Sequence, residues 1–135
     1  MARTTLRHWA VLVVSCFMTF GNYYCYDMPG AMSDPLQIWL DKPTDDFLLL
    51  LNVFYTAYAL PNVIMPLIAG ILIDRIGTRY IIVMLTSLVV SGQALFAVGV
   101  TLRSITLMMA GRALLGIGSE SLDVVQARVL TDWFK

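Results

Sequence analysis

The sequence predicts an all-α membrane protein of four transmembrane helices. Three observations carry that expectation. The 135 residues are 59% hydrophobic and only 13% charged, whereas a soluble domain is nearer half apolar and about a quarter charged. The mean hydropathy of +0.76 leaves too little polar side chain to cover a water-facing surface; it also excludes a disordered chain, which needs low hydrophobicity and high net charge. The apolar residues are gathered into stretches long enough for the hydrocarbon core, which takes about 20 residues at about 1.5 Å each. With a net charge of +0, there is no electrostatic reason to expect nucleic acid as a partner.

Helices are predicted over 9–28, 46–73, 80–102 and 105–130. The first follows Arg3 and Arg7, as a secretory signal would. Gly-Asn-Tyr-Tyr-Cys-Tyr then stands where a small-x-small cleavage site belongs, which favours an uncleaved helix. Tyr23, Tyr24 and Tyr26 are expected to form an aromatic belt at its far end. Cys16 and Cys25 lie too far apart along one helix for a disulfide and read as packing residues. His8 has no co-ligand nearby, and no metal or cofactor is expected.

The second helix carries Asn52, Tyr55, Tyr58 and Asn62 with Pro61 and Pro66. Prolines at membrane depth free carbonyls that a neighbour or water must satisfy. The third has no charged side chain and suits extensive lipid contact. Between the first two, Asp27, Asp34, Asp41, Asp45 and Asp46 are interspersed with Pro29, Pro35 and Pro43, and the prolines are expected to prevent a helix there. With the N-terminus inside, Arg3, Arg7, Arg75, Arg79, Arg128 and Lys135 all fall on the inner face. Only Lys42 and Arg103 fall outside, which predicts an in–out–in–out–in path.

The fourth helix holds most of the functional information. At about 100° per residue, Gly116, Glu120 and Asp123 lie about 40°, 80° and 20° from Arg112, so all four share one face. A charge at mid-membrane costs about 2.5–3.5 kcal/mol on insertion scales, so that face is expected to meet partners or water rather than lipid. Arg112 and Glu120 are about 12 Å apart along the axis and cannot pair within the helix. Each needs a partner on another helix, in water or on a ligand. Either an interhelical ion pair that only holds the bundle or a solute pathway would answer. Gly111, Gly116 and Gly118 are expected to let a neighbouring helix approach closely. Asp123 reads as a solvated acid near the inner end. In the inner turn, Gly77 permits a tight reversal, and Asp74 sits at a helix C-terminus where the macrodipole disfavours an anion unless Arg75, Arg79 or another helix end compensates.

That turn, Gly70-Ile-Leu-Ile-Asp74-Arg75-Ile-Gly77-Thr78-Arg79, resembles the signature between helices two and three of the major facilitator superfamily. Thr78 replaces the first of its two closing basic residues. Arg112 with Gly116 and Gly118 resembles the superfamily's fourth-helix motif. Tyr-Cys-Tyr-Asp-Met-Pro at 24–29, Tyr58-Ala-Leu-Pro61-Asn62-Val63, Gly92-Gln93 and Gly116-Ile-Gly-Ser-Glu120-Ser121-Leu are similar to its lysosomal dipeptide transporter branch.

The resemblance implies a twelve-helix fold with its site between two halves. Residues 1–135 would then supply helices one to four, a partial N-terminal half without the C-terminal half. It further implies alternating access, a dipeptide-like small-molecule substrate and a single-span glycosylated accessory subunit. The membrane would be lysosomal or another endomembrane, with the plasma membrane as the other option. Glu120, Arg112, Tyr58 and Asn62 become the substrate-binding candidates. Glu120 would take the ammonium group; Arg112 would take the carboxylate or pair with an acid on a helix beyond this chain. Gly70, Asp74, Arg75, Gly77 and Arg79 become a conformational latch. Ser119 and Asp123 depart from the small residues expected in that branch.

Two other readings are weaker. A four-helix homodimeric exporter would carry an acid in its first helix, and 9–26 has none. A tetraspanin-like scaffold would have a large cysteine-rich outer loop, where only Arg103-Ser104 stands between the last two helices. An enzyme is not expected, since no nucleophile–base pair, phosphate loop or metal cluster is present in the sequence.

Overall fold

The computed structural model describes residues 6–134. Arg3 and Lys135, assigned above to the inner face, lie outside the described residues. The described chain forms six helices: α1 (Leu6–Ala31), α2 (Ser33–Leu40), α3 (Thr44–Asn62), α4 (Met65–Ile76), α5 (Thr78–Thr101) and α6 (Ile105–Trp133). Among the described residues, two stretches are long and apolar enough to cross a membrane: Thr44–Ile76, which takes in α3 and α4, and Thr78–Thr101. In α1 the apolar run is diluted by Thr19, Gly21, Asn22 and the tyrosines. In α6 it is diluted by Arg112, Glu120 and Asp123.

The sequence reading of the segment after the first helix is corrected. Prolines do not keep it from being helical: α1 runs on through Pro29, and α2 follows almost at once. Pro35 is the third residue of α2 and Pro43 is the N-cap of α3. Both are positions where an amide hydrogen has no intrahelical partner to lose. The second predicted helix, in turn, is not continuous. It breaks at Val63 and Ile64, and α4 restarts with Pro66 in its first turn.

α6 is the hub and packs against α1, α3, α4 and α5. Its contact with α5 rests on a stripe of buried residues, Ile81, Leu85, Val89, Gly92, Phe96 and Gly99, spaced three or four apart as one helical face requires. The opposite side of α5, including Val83, Val90 and Val98, is exposed. Small residues set the approach. A methyl group at Gly111 would stand 2.6 Å from the Phe96 amide nitrogen, and one at Gly118 would stand 2.9 Å from the Leu85 carbonyl oxygen. At Gly116 it would collide with the Tyr58 carbonyl oxygen.

Both ends of the bundle are tied. At one end, the His8 ring meets Trp133 and Phe134 edge-on with centroids 5.7 Å apart. At the other, the Trp39 indole donates to the Val100 carbonyl at 2.9 Å, and the Arg103 guanidinium lies 4.5 Å over the same ring. α4 and α5 are joined by Gly77 alone, at φ +92°, a backbone angle that favours glycine.

Candidate functional site

The polar interior lies where α1, α3 and α6 meet. Arg112 is its centre and is the largest fully buried side chain, 1% exposed. Its Nη1 donates to the Cys25 carbonyl at 3.0 Å and its Nη2 to the Tyr26 carbonyl at 2.8 Å. The rings of Tyr26, Tyr55, Tyr58 and Phe96 surround the guanidinium with centroids 5.3–5.9 Å away. Aromatic faces attract a desolvated cation. The Nε atom is buried with no hydrogen-bond partner. Among the described residues the only ion pair within 4.0 Å is Arg128–Asp132, on the outside of α6. Backbone dipoles and ring faces therefore hold the Arg112 charge, and no carboxylate does.

A directed chain of hydrogen bonds runs beside it. Tyr58 Oη donates to Ser119 Oγ at 2.6 Å, and Ser119 Oγ donates to Asn22 Oδ1 at 2.6 Å. Asn22 Nδ2 donates to the Ser119 carbonyl at 3.2 Å and to Asp123 Oδ1 at 3.4 Å. Glu120 Oε1 lies 3.5 Å from Tyr58 Oη. Tyr58 has one proton, and the shorter bond to Ser119 claims it. The half-buried Glu120 carboxylate thus keeps its acceptor capacity and has no cationic partner among the described residues. Further along, Thr19 Oγ1 donates to Gln126 Oε1 at 2.8 Å, and Gln126 Nε2 donates to the Ser15 carbonyl at 2.9 Å, joining α1 to α6.

The predicted residues fall into three groups. Arg112, Tyr58 and Glu120 are brought together. Asn62 stands one turn beyond Tyr58 at the end of α3, half-buried, with its Oδ1 unpartnered. Asp74, Arg75, Gly77 and Arg79 are exposed at the α4–α5 turn and form no ion pair with one another, and Gly70 has open space beside it. Gly111, Gly116 and Gly118 lie at the close helix contacts described above.

Two expectations are corrected. Asp123 does not stand at a helix end: α6 runs ten residues past it to Trp133, and its half-buried carboxylate accepts from the buried Asn22. Tyr26 does not belong to an aromatic belt. Its ring packs against Tyr55 at 5.4 Å and Tyr58 at 4.7 Å, and it faces Arg112. Both follow from the face of α1 turned toward α6: Asn22 and Tyr26 point into the bundle, while Tyr23 and Tyr24 are exposed. The sequence reading gave Asn22 no role, noted Ser119 only as a departure from the branch, and took Pro29 for a helix breaker. An amide inside an otherwise apolar helix was the available signal for the first.

Helices with exposed apolar flanks around a charged, hydrogen-bonded interior define the class as a helical membrane protein with a polar core. The chain belongs to the Major Facilitator Superfamily, whose family profile matches residues 11–135. It is 40% identical over 126 residues to the lysosomal dipeptide transporter MFSD1 of Mus musculus, covering 93% of this chain and 26% of that protein. The protein of the same name in Homo sapiens is 39% identical over 126 residues, with the same coverage of each chain. That of Danio rerio is 38% identical over 131 residues, covering 96% of this chain and 28% of the relative. The chain thus spans about a quarter of the length of the curated relatives it matches. No solved structure matches it.

Proposed function

We propose that these helices cross the membrane as the first four of a twelve-helix transporter, which moves small zwitterionic peptides by alternating access between two halves. The observation that carries this reading is the charged face of α6: a carboxylate at Glu120 and a guanidinium at Arg112, neither matched by an opposite charge among the described residues. A dipeptide carries one ammonium and one carboxylate. A site that takes it from water must replace both hydration shells, so it needs one group of each sign held in place. Glu120 is assigned to the ammonium, Arg112 to the carboxylate, and Tyr58 and Asn62 to the uncharged contacts between them. The printed names of the relatives support dipeptides as the substrate class and a lysosomal membrane as the location.

Asp74, Arg75 and Arg79, exposed on either side of the single-residue Gly77 joint, are assigned to an inner latch. Unpaired here, they are free to engage the other half as it rocks. A single-span glycosylated subunit is the proposed partner.

Uptake of a radiolabelled dipeptide by the full-length transporter that contains these helices tests the reading. Glu120→Gln keeps the shape and removes the charge, and uptake should fall by about 100-fold, the order expected for a buried charge-assisted hydrogen bond. Asp74→Asn should slow turnover with little change in KM. Near-normal uptake by Glu120→Gln would remove that residue from the site, and a pure affinity loss in Asp74→Asn would contradict the latch.

A further inference from the structure

Pro29 lies fully buried within α1, and the helix continues through it to Ala31. A proline inside a helix has no amide hydrogen for the carbonyl four residues earlier. That carbonyl belongs to Cys25, and it is the one that accepts from Arg112 Nη1 at 3.0 Å. Two anomalies of the fold, an interior proline and a buried guanidinium without an acid, therefore resolve each other. The second contact, to the adjacent Tyr26 carbonyl at 2.8 Å, completes a two-point grip. A planar guanidinium held at both terminal nitrogens is fixed in orientation as well as place. The Nε hydrogen is left unpartnered, and a carboxylate bound there could add to the grip without displacing it.

We propose that Pro29 is a positioning residue: by leaving the Cys25 carbonyl free, it supplies the acceptor that orients Arg112 toward the substrate carboxylate. The proposal rests on the function proposed above and assigns a residue that the charged face alone does not reveal. It predicts that any residue with an amide hydrogen at position 29 lets α1 close its own bond to Cys25, loosening the guanidinium while sparing the Glu120 side of the site.

The test compares uptake of a neutral dipeptide with that of its C-terminal amide, which keeps the ammonium and lacks the carboxylate, in the full-length transporter. Pro29→Ala should raise KM for the free dipeptide about ten-fold, the order expected for one charge-assisted hydrogen bond. kcat should stay within about two-fold, as should KM for the amide. Pro29→Gly restores the same amide hydrogen and should behave alike, so the result does not hinge on one variant's folding. In an Arg112→Gln background, Pro29→Ala should have no further effect. Equal losses on both substrates, no loss on either, or additive effects in the double variant would overturn the positioning role while leaving the transport reading intact. Failure of the unaltered protein to take up either substrate would overturn the transport reading, and the proposal with it.

Discussion

Asn22 holds the α1–α6 interior together through one side chain. Only 4% exposed, it accepts from Ser119 Oγ and donates to the Ser119 carbonyl and to Asp123. Asn22→Ala strands all three partners at once. Polar contacts between membrane helices are worth ~0.6 kcal/mol on average and up to ~1.7 each, because the separated helices find other partners. The variant should therefore lose about 1–2 kcal/mol in denaturation from mixed micelles. Asn22→Asp, which keeps the acceptor but faces Asp123 with a second carboxylate, should recover little. A melt unchanged in Asn22→Ala would mean that the amide contributes no net stability. At this scale the sequence showed which side chains of α6 are charged and that they share a face. It did not show what satisfies them. The acceptors for Arg112 are main-chain carbonyls of residues 86 and 87 positions earlier, and a carbonyl leaves no mark on the sequence except through the proline that frees it.

Among elements, the approach of α6 to its neighbours depends on positions that admit no side chain. Gly116→Ala drives a methyl group into the Tyr58 carbonyl of α3, where backbone faces backbone and neither can rotate away. Overpacking of this kind costs about 1–3 kcal/mol, and it should also shift Tyr58 relative to Glu120. Gly21→Ala is the matched control. Gly21 lies inside α1 with nothing within 4 Å of the added atom, so the change should be neutral or stabilising by up to about 1 kcal/mol. Thermal unfolding of the two variants in one detergent separates these outcomes, and equal shifts would contradict the close-contact account. The long apolar helices were readable because hydrophobic runs of that length have few alternatives. Their interruptions were not. Pro29 and Pro61–Pro66 present the same residue to the eye, yet α1 passes through the first and the second pair ends one helix and begins another. The difference is tertiary: Arg112 satisfies the carbonyl that Pro29 exposes, whereas the chain at Val63 and Ile64 relaxes into an exposed turn.

For the whole molecule, the arrangement amounts to a sorting of surfaces. Apolar side chains of α1 and α5, such as Phe17, Phe20, Val83 and Val90, point outward. Asn22 of α1 and Arg112, Glu120 and Asp123 of α6 turn inward, toward one another's helices or toward α3. Basic residues Arg7 and Arg128 stand at the end where His8 meets Trp133, and the acidic segment from Asp27 to Asp46 lies toward the other. The family was legible because two motifs fell in order, one across the α4–α5 turn and one within α6; the length of α1 and the presence of α2 were not, since both depend on partners distant in the chain. The central claim is that the Glu120 side of α6 borders a water-filled passage. In a background with Cys16 and Cys25 replaced by serine, single cysteines at Glu120 and at the outward-facing Val90 of the membrane-embedded full-length transporter should be treated with a charged, membrane-impermeant thiol reagent. The account predicts rapid modification at position 120 and none at position 90. Modification at 90 with protection at 120 would place that face against acyl chains and contradict it.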